Sequence, residues 1–310
     1  MSALICGSMA YDTIMVFHDK FKNHILPDKV HMLNVSFLVP AMRREYGGCA
    51  GNIAYNLKLL GEDPLIMATV GHDFEPYSQW LCLCDLSRKY IRVVDDNYTG
   101  QAYITTDEDD NQITAFHPGA MNSSHLNSVP TEAGISLGIV SPDGRAGMLQ
   151  HATELAEANI DFIFDPGQGM PMFSGDELLN FMQQAKWAIF NDYESELMQK
   201  QTGLSLKALA EQVETLIVTR GGQGSQIYTQ GQMLEIPAAH PKALNDPTGC
   251  GDAYRAGLMF GLINGYGWEE TGRIASLMGA IKIEHHGTQN HKFTLKAFRE
   301  RYQENFGSQF

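Results

Sequence analysis

The feature that most constrains this chain is a recurring apolar run of four to six residues, closed each time by turn residues. It appears as "ALICGS", "PLIMATVG", "ISLGIVS", "IDFIFDPG", "WAIFND" and "TLIVTRGG". Runs apolar at nearly every position, not at every second one, read as strands buried on both faces, as in a parallel sheet covered by helices. The covering stretches lie between them. "NIAYNLKLLG" places Ile53, Leu57 and Leu60 at helical spacing and stops at Gly61. "EPYSQWLCLCDLSRKY", "GMLQHATELAEAN" and "LKALAEQV" read as further helices, and "LKAFRERYQENF" as a final amphipathic one. The alternation predicts a largely parallel α/β sheet with helices on both faces, where ligands bind off the carboxyl ends of the strands.

Two segments break the rhythm. "VHMLNVSFLVP" alternates, with Leu33, Val35, Phe37 and Val39 on one side, and "GQAYITTDEDDNQITAFHPGA" reads as a hairpin turning in its acidic run. Together they predict a small β-lid, in segments of about 13–45 and 96–118, inserted into one domain spanning 1–310; the other reading is an ordinary edge hairpin. No repeat or long linker divides the 310 residues, and a 44% hydrophobic content supplies a core. A formal charge of −14 argues against a nucleic-acid backbone or an anionic membrane as partner, but not against a small phosphate arriving with a metal. The start "MSALICGSMAYD" lacks a basic leader, and no run approaches the ~18 apolar residues of a membrane span, so a cytoplasmic protein is expected. Five cysteines, an odd number with no paired framework, read as reduced structural thiols.

Several signatures are missing. There is no Gly-Lys dipeptide and so no Walker loop, and "GGCAGN" lacks dinucleotide spacing. "GISLG" matches a nucleophile elbow, but Ser136 falls at the start of a strand, where that motif does not work. "EHHGTQNH" reads as surface or core histidines, not as a zinc set.

Other stretches converge. In "DPTGCGDAYRAG" two glycines free the backbone, a buried helix reads from Ala253 onward, and Asp252 stands where unpaired N–H groups favour an anion: a base beside an anion hole. "CGSMAYD" ends the first strand and sets Asp12 just past its carboxyl edge. In "GGCAGN", Gly48 permits close backbone approach to a ligand and Asn52 can hold a hydroxyl. "FNDYE" places Asn191 and Glu194 after a strand, and "VTRGGQG" ends another in a glycine-rich turn. Singly these are turns, caps and surface charges. Together, at the strand ends of one α/β chain, they describe a site.

These residues resemble the ribokinase-like (phosphofructokinase-B) family almost end to end. "GGCAGNIAYNLKLLG" with "TVGHDF" is similar to its N-terminal signature, and "DPTGCGDAYRAG" to its more specific D-x-x-G-x-G-D signature. The resemblance implies a three-layer α/β sandwich with a mostly parallel sheet and a β-lid, and ATP-dependent phosphorylation of an alcohol. Asp252 would then be the general base, with the N–H groups of Gly249, Cys250 and Gly251 as anion hole. Asp12, Gly48 and Asn52 would grip sugar hydroxyls. Asn191, Thr219, Gly221 and Gly224 would line the ATP site, and Glu194 would hold Mg2+ through water. Arg220 would add a phosphate contact, unless it is an exposed turn arginine. Asp246 and Thr248 would be candidates for a monovalent cation such as K+. Arg255, where the family usually has a small or apolar residue, has no firm account beyond a phosphate contact.

The wording of "HILPDKVHMLNVSFLVPAMRREYGGCAGN" looks most like the bacterial nucleoside (adenosine-type) kinases. In that reading lid residues such as Phe37 cover a base, while Gln101 and Phe116 hydrogen-bond to it and stack on it. The alternative is that these side chains pack the lid against the body. A sugar kinase with the same mechanism stays open, as does a non-catalytic sugar or nucleotide sensor. The expected partners are ATP and one small molecule, with the protein a monomer or homodimer.

Overall fold

The computed structural model describes residues 2–25, 35–109 and 111–310. Its large sheet is built from β1 (Ser2–Cys6), β4 (Leu65–Gly71), β5 (Ser87–Val94), β8 (Ile135–Val140), β9 (Phe162–Phe164), β10 (Trp187–Asn191), β11 (Thr215–Thr219), β12 (Ser225–Thr229) and β13 (Gln232–Ile236). β2 (Ala10–Val16), β3 (Ala41–Gly47), β6 (Gly100–Thr106) and β7 (Gln112–His117) form a second sheet. The large sheet runs β13-β12-β11-β10-β9-β8-β1-β4-β5. It is parallel from β5 through β11, with β12 and β13 added antiparallel.

The apolar runs explain the layers. Neighbouring side chains on a strand point to opposite faces, so Ile5, Ile139 and Ile189 enter one core while Leu4, Val140 and Phe190 enter the other. The first core is covered by α1 (Cys49–Leu59), α2 (Glu75–Leu83), α7 (Cys250–Ile263), α8 (Trp268–Ile283) and α9 (Leu295–Phe306). The second is covered by α3 (Arg145–Glu157), α4 (Gly175–Gln184), α5 (Asp192–Thr202) and α6 (Leu206–Ala210). From β1 the chain winds outward in both directions, through β4 on one side and β8 on the other. Strand order therefore reverses between β1 and β8, which opens a crevice beyond their carboxyl ends.

Three expectations shift. The stretch "EPYSQWLCLCDLSRKY" is a helix only to Leu83. Asp85 adopts φ +54°, the Leu86 N–H donates back to the Leu81 carbonyl at 2.9 Å, and the chain leaves as edge strand β5. An aspartate taking the left-handed role of a terminating glycine hides that stop in the sequence. The hairpin of 100–117 forms as read, but the smaller sheet also starts earlier, at Ala10, where β2 pairs parallel with β6 and antiparallel with β3. Asp12 thus sits on a strand of the smaller sheet, not at the end of β1. In "VHMLNVSFLVP", Leu33 lies outside the described residues, and residues 35–40 form no strand. Ser136 is exposed near the amino end of β8, away from the carboxyl edge, so no nucleophile elbow exists there.

Candidate active site

The site grows from the start of α7. The Asp246 carboxylate accepts the Thr248 N–H at 2.9 Å, tightening the turn before the helix. Gly249 then takes φ +79° as N-cap, a left-handed conformation that suits glycine. The helix begins at Cys250, earlier than the apolar pattern suggested, so Gly251 carries no positive φ and Asp252 belongs to the first turn. The N–H groups of Gly249 and Gly251 have no partner among the described residues. The Cys250 N–H donates to the Pro247 carbonyl at 3.2 Å, so of the expected donors Gly249 and Gly251 remain free. Burial pushes the Cys250 thiol up to about 11, which leaves it no part as a nucleophile.

Asp252 is oriented by a relay of one-way hydrogen bonds. The Trp80 indole donates to Gln289 Oε1 at 2.8 Å, the Gln289 amide to Asn52 Oδ1 at 3.0 Å, and the Asn52 amide to Asp252 Oδ2 at 2.8 Å. Desolvation raises the Asp252 carboxyl from 3.8 to about 6, with Asn52 and Arg255 pulling it down and Asp165 and Asp12 pushing it up. A carboxylate poised near neutral pH and aimed by a fixed amide has the properties of a general base. Asn52, expected to hold a hydroxyl, is buried and turned to Asp252 and Gln289 instead.

Asp12 faces the same space from β2. Burial first, then Glu45 and Asp246, raise it to about 6, and its carboxylate has no hydrogen-bond partner among the described residues. Gly48 has φ +85°, and a Cβ there would stand 2.6 Å from the Ser8 carbonyl oxygen. The close approach seen here is to the chain's own β1–β2 connection. Gln101 is spent at both ends, donating to Asp73 at 2.9 Å and accepting from Tyr103 at 2.7 Å. Phe37 packs against Phe17 and Phe21, with ring centres 4.8 and 5.0 Å away, while Phe116 on β7 is exposed.

Arg255 makes a buried bidentate pair with Asp165, Nε to Oδ2 at 2.8 Å and Nη2 to Oδ1 at 2.6 Å. Ser141 also donates to Asp165, at 3.0 Å. The arginine is thus occupied, and a phosphate contact is not its role in this conformation. The pair ties α7 to the carboxyl end of β9, beside the crevice. Asp165 was missed in the sequence although a signal existed: an arginine inside an apolar helix needs a buried anion.

Asn191 and Glu194 form a reciprocal capping box on α5, the Glu194 N–H donating to Asn191 at 2.7 Å and the Asn191 N–H to Glu194 Oε2 at 2.8 Å. Burial raises Glu194, against the nearby Arg255 charge. Its Oε1 has no partner among the described residues, so a hard oxygen donor stays available to a hydrated divalent cation. Among the described residues no group of three His, Cys, Asp or Glu side chains can hold a metal by itself. Thr219 ends β11 beside Asn191, and Gly221 and Gly224, both with positive φ, shape the next turn. Arg220 on that turn pairs with Glu235. Ser225 meets the Tyr254 hydroxyl at 2.7 Å, which brings this turn to the first part of α7.

A model of the pfkB family of carbohydrate kinases matches residues 9–294. The chain belongs to that family. As a pfkB member it is a phosphotransferase acting on a hydroxyl group. It is similar to the nucleoside kinase of Methanocaldococcus jannaschii, with 32% identity over 270 residues covering 86% of this chain and 89% of the relative. The solved structure of that species' nucleoside kinase, described as an archaeal member of the ribokinase family, gives a TM-score of 0.89 at 30% identity over 98% and 99% of the two chains. The nucleoside kinase of Burkholderia thailandensis in complex with inosine gives a TM-score of 0.90 at 50% identity over 99% of each chain. The pfkB architecture is thus that of a ribokinase-like α/β fold, with the four-stranded sheet as its smaller layer.

Proposed function

We propose that this kinase transfers the γ-phosphate of ATP to the 5′-hydroxyl of a nucleoside, with Asp252 as general base. The observation that carries the reading is the pairing of a fixed, partly desolvated carboxylate with free N–H groups in the same helix turn. The hydroxyl would give its proton to Asp252 as its oxygen bonds to the γ-phosphorus, and the bridging bond would break to release ADP. Charge on the transferring group would be met by the Gly249 and Gly251 N–H groups, preorganised by the helix start and needing no rearrangement. Asp12 would accept hydrogen bonds from ribose hydroxyls. Magnesium arriving with ATP would neutralise phosphate charge, and Glu194 with Asn191 would help hold its water shell. Thr219, Gly221 and Gly224 would border the nucleotide.

The nucleoside reading draws on half-identity to an enzyme solved with inosine, and on an exposed aromatic, Phe116, on the smaller sheet. Gln101 contributes to a base contact only if it releases Asp73. A single assay tests the reading: magnesium- and ATP-dependent ADP release with adenosine, inosine, guanosine, cytidine, ribose and fructose. Turnover of nucleosides is the expected result. Turnover of ribose or fructose alone would replace the nucleoside with a sugar and keep the Asp252 chemistry, and binding without turnover would make the protein a sensor.

A further inference from the structure

Lys282, in the last turn of α8, is the most deeply buried charged side chain near the site, with 0% of its surface exposed. Its ammonium donates to the Asp246 carbonyl at 2.8 Å and the His285 carbonyl at 3.2 Å, and lies 4.0 Å from the Asp246 carboxylate. That carboxylate also accepts the Thr248 N–H at 2.9 Å and the Gly287 N–H at 2.9 Å. A nest of carbonyl and carboxylate oxygens is a setting that can replace the hydration shell of a monovalent cation. Here a covalently attached cation occupies it, and the Asp246 carbonyl is turned to Lys282. The expected K+ pair, Asp246 and Thr248, therefore does not offer an open oxygen cage.

We infer that Lys282 is a positioning residue whose tethered ammonium takes the place of a monovalent cation beneath the 246–251 turn, so that turnover needs no added K+. The turn leads directly into Gly249, Gly251 and Asp252; burial lowers the Lys282 ammonium from its ordinary value, and Asp246 is first among the groups that hold it charged. Loss of the ammonium would leave the Asp246 carbonyl only the weak Cys250 thiol donor at 3.9 Å and free the turn to move. A displacement of about 1 Å at reacting groups costs about 10²-fold in rate.

The inference rests on the kinase reading, and the experiment separates the two. The rate of the unaltered enzyme is measured in KCl and in tetramethylammonium chloride at equal ionic strength, with all other salts as tetramethylammonium or chloride. Equal kcat within about twofold is expected, whereas stimulation by K+ beyond that overturns the inference while leaving the kinase intact. Absence of turnover in both salts with every nucleoside and sugar would instead sink the kinase reading. Lys282→Ala, which opens room at the oxygen nest, is expected to lose about tenfold or more in kcat and to regain part of it with K+ but not with tetramethylammonium. An unchanged kcat, or a loss that K+ does not relieve, reduces Lys282 to a helix-end contact. If the variant does not fold, the salt comparison on the unaltered enzyme decides.

Discussion

Replacing Asn52 by leucine tests how Asp252 is tuned. The substitution keeps the volume of a buried side chain but removes the amide that donates to Asp252 Oδ2 at 2.8 Å. A hydrogen bond to a charged group contributes about 1.5–3 kcal/mol, and 1.36 kcal/mol corresponds to about one pKa unit. The Asp252 carboxyl, at about 6 with the amide in place, should therefore rise by roughly one to two units. Because the base works only when ionised, the acid limb of the kcat/KM profile moves to higher pH. At pH 7 the ionised share falls from about nine-tenths to between about a tenth and a half, a loss of about two- to tenfold from this cause alone. At pH 9 that part of the loss disappears. Asp12 also titrates near 6 and shares the limb, but it does not touch Asn52, so its contribution stays in place. The assay is kcat/KM for inosine from pH 5 to 9.5 at saturating ATP. A uniform loss at every pH, with the limb unmoved, would refute the reasoning and return Asn52 to a hydroxyl contact.

Other outcomes follow from the same geometry. Asp143 is buried, with one carboxylate oxygen unpartnered among the described residues, and desolvation raises it from 3.8 to about 8. Its raised pKa gives stability that is fully present below about pH 4 and is lost as pH rises to about 8, so between about pH 5 and 7 the protein should lose about 1.4 kcal/mol per pH unit relative to Asp143→Asn, read by denaturant unfolding. Asp165→Ala leaves the Arg255 guanidinium buried without its anion and should cost about 3–5 kcal/mol of stability in the same assay; a cost below about 1 kcal/mol would mean water relieves the charge. Phe116→Ala, at an exposed position, should raise the nucleoside KM by about two- to tenfold with little change in Tm if the ring stacks on the base, and unchanged kinetics would remove it from the site.

The layered sheet was legible because strands buried on both faces leave an unbroken apolar trace, and the 100–117 hairpin because alternation switches around an acidic turn. The turn before α7 was legible for a local reason: a left-handed glycine and a helix start are properties of adjacent residues. What escaped depends on closure of distant segments. Asp165 lies 90 residues before the arginine it pairs with, and Gln289 lies 237 residues after the Asn52 it orients. The histidine-rich run that holds Gln289 reads as a surface or core stretch, and His291 within it is indeed buried, bonded to Asn56 at 2.7 Å. Gly48 and Gln101 were assigned to a ligand by residue type, yet the fold uses them to close its own backbone and to hold Asp73. A polar residue near a site carries no local mark of whether it serves the ligand or the residue that does.

The most direct measurement is Asp252→Asn, assayed for ADP release with inosine and, separately, for inosine binding by calorimetry. The amide is isosteric and cannot take the proton, so kcat should fall by about 10²–10⁴ while the inosine Kd stays within about threefold. A variant that turns over within about tenfold of the unaltered enzyme would contradict the assignment of Asp252 as the base.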